Sequence, residues 1–290
     1  MPYSAVTKTS GAVDSVEQLP IRYDLYVPTG GGGEELPVII FLHGFKGFKD
    51  WGAFPLACED LAFSGFAVLA MNFSHNGVGE SLTDFDRLDL FAQETLSRDL
   101  DNVGSVIEAL QKGDIVDGKA TLLTDRMGII GHSRGGHTAI AAAAEYPALS
   151  TLVTWSAVAD YMAHWSEQMV REWKDKGYTE IQNSRTGQVM RIDRVVYDDM
   201  LQNEERLNAL KRVRELRLPV CFIHGKADEA VSAKEARKLY EACPSTDKEI
   251  KIIEGTGHTF DTAHPFEDEG YPAAFEEVMR LTRTWFETYL

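Results

Sequence analysis

Short apolar runs alternate along most of the chain with stretches whose apolar residues recur at helical spacing. Residues 21–27 place apolar side chains at 21, 23, 25 and 27 and read as an early strand. A flexible turn, Gly30-Gly31-Gly32-Gly33, follows. Pro37 opens the next run, 38–42, whose side chains are apolar toward both faces, as in a strand covered by helices on both sides. Residues 67–73 form a third such run. Leu96, Leu100, Val103, Ile107 and Leu110 lie on one helical face and predict a single long amphipathic helix over 88–110. Further strands are expected at 126–131, 149–155, 219–224 and 249–254, with helices at 140–146, 233–243 and 273–290. Strands and helices in such alternation specify an α/β fold with a mostly parallel sheet and helices on both faces.

One segment interrupts this alternation. From 158 to 218 no buried-strand run occurs, but aromatic and charged residues are dense. A hairpin is expected over 180–194, turning at Asn183-Ser184-Arg185-Thr186-Gly187, where the glycine supplies a positive φ. Residues 162–174 and 203–216 read as helices around it. This divides the chain into a core, 1–157 with 219–290, and an inserted lid of helices plus a hairpin, 158–218.

Composition removes several classes of function. With 44% apolar and 26% charged residues the chain is globular, and no apolar stretch approaches the roughly 20 residues that cross a bilayer. Against 29 basic residues stand 45 acidic ones, and the resulting net charge of −16 opposes nucleic acid and anionic lipid as partners. Cys58, Cys221 and Cys243 show no metal-ligand spacing, so neither a metal nor a cofactor is expected. Their odd number suits a reducing, cytoplasmic compartment, and the first ten residues lack the basic-then-apolar order of a secretory signal. The oligomeric state stays open, a homodimer included.

The chemistry concentrates at Gly131-His132-Ser133-Arg134-Gly135, with a further Gly136. An apolar strand (Met127, Ile129, Ile130) precedes it and an alanine-rich helix (Ala139, Ala141 to Ala144) follows. Glycines at these positions permit a turn tight enough to hold the Ser133 hydroxyl out at the carboxyl end of the sheet, beside the first amides of the helix. With this motif in this setting, the chain resembles the α/β-hydrolases. The resemblance implies that family's order of nucleophile, acid and histidine. Ile223-His224-Gly225-Lys226-Ala227-Asp228 is similar to its acid loop and Gly255-Thr256-Gly257-His258-Thr259-Phe260 to its histidine loop. Ser133 is then the nucleophile, His258 the base and Asp228 the acid that orients it, with Asp160 and His264 as the rival acid and base. Leu42-His43-Gly44-Phe45 matches the His-Gly loop of the family, implying an oxyanion hole from the backbone N–H groups of Phe45 and Arg134.

Other candidates read more plainly. His43 organises its loop, His132 and His137 are structural, and residues 46–50 form a mobile rim. The Asn72–Ser81 loop shapes the site wall, and its His75 is a candidate substrate contact. Serine–histidine chemistry selects acyl transfer to water, so a small-molecule ester is the expected partner. The lid resembles the arrangement of bacterial feruloyl and cinnamoyl esterases, with Trp165, Trp173 and Tyr178 as candidate pocket walls. A carboxylesterase for medium-sized acyl or aryl esters is therefore expected. A peptidase or amidase, an acyltransferase, and a non-catalytic receptor on the same fold stand as alternatives.

Overall fold

Eight strands assemble into one sheet in this computed structural model, which describes residues 5–30, 35–116, 118 and 120–290. Of the expected Gly30–Gly33 turn, Gly31, Gly32 and Gly33 lie outside the described residues. The amino-terminal half contributes β1 (Ala5–Asp14), β2 (Pro20–Thr29), β3 (Glu35–Leu42), α1 (Phe54–Phe63), β4 (Ala67–Met71), α2 (Leu88–Phe91) and α3 (Leu96–Lys112). Then come β5 (Thr121–His132), α4 (Arg134–Glu145) and β6 (Leu149–Trp155). After the segment that interrupts the alternation, β9 (Val220–Gly225), α9 (Lys234–Ala242), β10 (Lys248–Ile253) and α10 (Ala273–Tyr289) complete the sheet and its cover. The strand order is β1-β2-β4-β3-β5-β6-β9-β10; within this sheet the pairs β1/β2 and β2/β4 are antiparallel and the others parallel.

Strand parity sorts the core into two layers. Val38, Ile40 and Leu42 of β3 pack with Leu100, Val103 and Ile140 on one face, while Ile39 and Phe41 join Ala57, Val278 and Phe286 on the other. This is the physical content of the both-face apolar runs: neighbouring side chains in a strand point oppositely, and each side has its own helices. Polar anchors supplement the packing. Trp155 Nε1 donates to Thr282 Oγ1 and Trp285 Nε1 donates to Thr151 Oγ1, both at 3.0 Å, tying α10 to β6. Among the described residues no helix is long and apolar enough to cross a membrane.

Several elements depart from expectation. β1 carries no apolar run because it is an edge strand, mostly exposed, whose pairing with β2 satisfies only one of its sides. The single helix expected over 88–110 is two, α2 and α3. Thr95 is extended, its hydroxyl accepts from Arg98 N–H at 3.2 Å as an N-cap, and Glu94 just before it bonds Arg134 instead of continuing a helix. Helix α4 begins at Arg134, six residues before the apolar periodicity suggests. Residues 46–50, expected as a mobile rim, are anchored: Phe48 is fully buried, and the Lys49 ammonium, also buried, bonds Asp24 at 2.6 Å and Asp50 at 2.5 Å.

Between β6 and β9 run α5 (Glu167–Lys176), the hairpin β7 (Tyr178–Gln182) and β8 (Val189–Asp193), then α6 (Arg194–Gln202), α7 (Glu204–Leu207) and α8 (Ala209–Arg212). The hairpin lies where the turn residues put it. The expected 203–216 helix is instead α7, α8 and a 3₁₀ turn, because the Asn208 side chain caps a fresh start by accepting from Leu210 and Lys211 N–H. Trp173, Met190, Ile192 and Val196 from this segment form one apolar cluster with Phe48, Phe85 and Phe91 of the remainder.

The strand-to-helix reversal at Ser133 depends on glycine. A Cβ on Gly135 would meet the carbonyl oxygens of His43 and Leu42, the latter at 2.6 Å, and backbone cannot yield as a side chain can. Gly135→Ala is expected to destabilise the protein by about 2 kcal/mol or more, measured as a drop in the urea midpoint at unchanged m-value.

Candidate active site

Ser133 has φ 57° and ψ −119°, a conformation that a residue with a side chain rarely adopts, between the last residue of β5 and the first of α4. Hydrogen bonds on both sides hold it there. Its N–H donates to Trp155 O at 2.8 Å, and its carbonyl accepts from Gly136 N–H at 3.0 Å and His137 N–H at 3.2 Å. A Cβ on Gly131 would collide with the Gly135 carbonyl, so the expected glycine pattern is a steric necessity of the turn. The hydroxyl has no hydrogen-bond partner among the described residues.

His258 and Asp228 arrive from the far end of the chain and meet. His258 Nδ1 donates to Asp228 Oδ2 at 2.7 Å, which leaves Nε2 as the ring's basic atom. Their loops are joined by backbone: Lys226 N–H donates to Ile253 O and Ala227 N–H to Thr256 O. Burial raises the Asp228 carboxyl pKa, but hydrogen bonds from His224, His258 and the Val231 N–H outweigh it and hold the group below the usual carboxylate range. His224, which the sequence reading quoted in the loop without giving it a role, is fully buried. Its Nε2–H is shared between Val231 O at 2.8 Å and Asp228 Oδ2 at 3.1 Å. Asp228 therefore takes two imidazoles. Only its position four residues before the acid could have signalled this. The rival acid Asp160 instead accepts from Met162 and Ala163 N–H in its own turn. The rival base His264 has Gly52 N–H on its Nδ1 at 3.0 Å.

The donors near Ser133 are also positioned. His43 Nδ1–H donates to Gly44 O at 2.9 Å, and its Nε2 accepts from Phe73 N–H and Asn76 Nδ2–H. Burial lowers its pKa to about 4, so the ring is a neutral brace for the loop that presents Phe45. The N–H of Arg134, at the first turn of α4, has no intrahelical acceptor. His132 and His137 are both buried, donating to or facing the carbonyls of His258 and Val158, and burial lowers them to about 3 and about 4.

The Arg134 side chain was not anticipated as a structural centre. Its guanidinium, 2% exposed, bonds Glu94 Oε2 at 2.7 Å and Asp99 Oδ2 at 2.6 Å and lies 5.6 Å from the Phe45 ring and 5.5 Å from Tyr161. Two buried acids share one cation, and burial raises both carboxyl pKa values despite the pairing.

Two cavities meet at Ser133 and His258. The first, about 450 Å³, is lined by Phe45, Phe91, Trp165, Trp173, Ile192 and other mainly apolar side chains. The second, about 430 Å³, runs toward Arg185 and His264. Trp165 and Trp173 both line the first cavity. Tyr178 does not line either cavity, since its ring lies under Arg191 at 4.2 Å. Nor does His75, which is buried between Ser74 Oγ at 2.9 Å and Glu17 at 3.3 Å on the far side of its loop.

The fold is shared with known proteins. A family model described as serine aminopeptidase, S33, matches residues 204–261, which include Asp228 and His258. The chain is 24% identical over 260 residues to "Putative esterase YitV" of Bacillus subtilis, covering 88% of this chain and 90% of that protein. Est1E of Butyrivibrio proteoclasticus, solved with ferulic acid bound, superposes with a TM-score of 0.71 at 20% identity, covering 96% of this chain and 98% of its own. Alpha/beta hydrolase domain-containing protein 10 from mouse gives 0.68 at 18% identity, covering 97% and 99%.

A carboxyl held below its ordinary range contributes stability in full above its unfolded value of about 3.9 and loses it as pH falls through the folded value. The stability gap between the wild type and Asp228→Asn is therefore expected to narrow as pH is lowered from about 6 to about 2.5. Denaturant unfolding at each pH reads this directly, and a constant gap would contradict the pairing.

Proposed function

We propose that this chain, which is built on the α/β-hydrolase fold, is a serine hydrolase of carboxylic esters acting through Ser133, His258 and Asp228. The observation that carries the reading is the 2.7 Å bond from His258 to a buried carboxylate, with Ser133 at the mouth of both cavities that His258 lines. On ester binding, the Ser133 hydroxyl turns to the free Nε2 of His258. The imidazole takes its proton as Oγ attacks the ester carbonyl. Negative charge forming on the carbonyl oxygen is met by the N–H groups of Phe45 and Arg134, each worth about 2.7–4 kcal/mol in comparable holes. Asp228 fixes the ring tautomer and stabilises the imidazolium, which then protonates the departing alkoxide. Water repeats the sequence on the acyl-enzyme.

Residues 158–218 serve as a lid in this reading. Trp165, Met169, Trp173, Ile181, Ile192 and Val196 supply about half of the apolar wall of the first cavity, which suits a medium-sized acyl or aryl group. Every group named comes from one chain, so the site is complete in a monomer or a homodimer. The three cysteines, all free and buried, suit a cytoplasmic setting.

The matched family model favours an aminopeptidase as the second reading. Such an enzyme needs an uncommitted acid for the substrate's α-amino group. The acid in the wall of the first cavity, Glu94, is already bonded to Arg134.

A panel of alkyl and aryl esters of graded acyl length, with matched amides, tests the assignment. Turnover of esters well above amides is expected. Ser133→Ala is expected to abolish turnover with an unchanged fold by circular dichroism, and Asp228→Asn to lower kcat about 10⁴-fold. Undiminished hydrolysis by Ser133→Ala would refute the mechanism.

A further inference from the structure

The first cavity sets Arg134 against Glu94 in its wall. The second carries two cations, Arg185 and the Lys46 it shares with the first, and among the described residues no carboxylate, in a chain with 45 acidic residues and a net charge of −16. Neither cation is neutralised. Lys46 forms no ion pair among the described residues, and its ammonium stands 6.0 Å from the Phe45 ring. Lys46 also sits at φ 56°, a backbone conformation that residues with a side chain rarely adopt. The fold thus holds a cation, half-buried, one residue beyond Phe45 where both cavities meet.

Arg185 comes from the opposite side, at the tip of the β7–β8 hairpin. Its guanidinium lies 5.6 Å from the Phe48 ring and 5.8 Å from the Phe85 ring, and none of its side-chain N–H groups finds an acceptor among the described residues. The turn that carries it is tied by Asn183 Oδ1, which accepts from the N–H of Arg185 and of Thr186. Arg185 is exposed, and a guanidinium lying against two aromatic rings with its donors free of protein acceptors can meet a planar anion. The acids nearest this end are committed or outside the wall: Asp50 bonds Lys49, and Asp84 is exposed on the surface loop. Surface arginines and lysines elsewhere on this acidic protein mostly pair with carboxylates, for example Arg206 with Asp101 and Glu145.

We infer that the second cavity receives an anionic group, a carboxylate or a phosphate, on one side of the scissile ester, while the apolar cavity takes the other side. This rests on the ester-hydrolase reading and specifies its substrate class: esters with one apolar and one anionic end. The excess of negative charge elsewhere would repel such a substrate from most of the surface, leaving this wall as the place that attracts it.

The test compares ethyl benzoate with carboxymethyl benzoate and 2-phosphoethyl benzoate, and p-nitrophenyl valerate with p-nitrophenyl hydrogen glutarate. These cover an anion on the alcohol side and on the acyl side. The wild type and Arg185→Gln are measured with all five esters, and the intrinsic reactivity of each ester cancels in the ratio between enzymes. Arg185→Gln is expected to lower the anionic-to-neutral ratio of kcat/KM by about 10- to 100-fold for at least one anionic ester. The loss is expected mainly in KM, with partial recovery in Arg185→Lys. In the wild type the same ratio should fall as salt is raised. Whichever of the carboxylate and phosphate esters shows the effect identifies the anion. A ratio changed less than twofold for all three anionic esters overturns the inference while leaving the ester reading intact. Binding of carboxymethyl and 2-phosphoethyl benzoate to Ser133→Ala, with and without Arg185→Gln, decides the anion site independently of turnover. If the wild type turns over none of the five esters, the ester reading fails and the binding comparison still stands: equal affinities would overturn the anion site, and a tenfold or greater loss would support it.

Discussion

One steric constraint organises the rest of the molecule: the backbone must leave β5 and enter α4 through a single residue. Ser133 adopts a left-handed φ, and glycines at 131, 135 and 136 stand where any side chain would strike backbone or Ala157. The strain at Ser133 persists because hydrogen bonds from its N–H and to its carbonyl fix it on both sides. The same close approach brings the β3 loop with His43 and Phe45 against the start of α4. The candidate nucleophile and the candidate oxyanion donors are thereby positioned by one packing event.

Charge is distributed around that turn in two ways. Behind it, Arg134 is sunk against Glu94 and Asp99, which ties the start of α4 to the start of α3. Removing one partner of such a cluster leaves an uncompensated buried charge, so the arrangement specifies geometry more than it adds stability. In front of it, Lys46 and Arg185 keep their charges unpaired among the described residues. Asp228 is a third case, with a carboxylate kept ionised by two imidazoles and two backbone N–H groups. His224 has no path to substrate from its buried position. Its contribution is to hold the carboxylate that holds His258.

The segment between β6 and β9 gives the site its two unlike halves. Its helix α5 and hairpin supply apolar side chains to one cavity, while the hairpin tip supplies Arg185 and Asn183 to the other. Packing of Trp173, Met190 and Ile192 on Phe48, Phe85 and Phe91 joins the segment to the core through side chains contributed from both sides.

Much of this was legible in the residues themselves. The parity of apolar positions in 38–42 and 67–73 specifies strands buried on both faces, because side-chain direction alternates with period two whatever the partner. Gly131 to Gly136 specifies the elbow, because only glycine avoids collisions that are local to the turn. The hairpin at Asn183–Gly187 was likewise local. What the sequence did not contain was set by contacts distant along the chain. The break at Glu94 and Thr95 exists because Glu94 meets Arg134, 40 residues on, and helical periodicity carries no trace of that meeting. β1 forms because β2 offers an edge, not because its own residues are apolar. His75 and Tyr178 have the right chemistry in the right segments, yet their rings face Glu17 and Arg191. Periodicity and turn chemistry act over a few residues and can be read from them. The direction in which a loop side chain points, and which charges remain unpaired, are decided only when the whole chain has closed around the site.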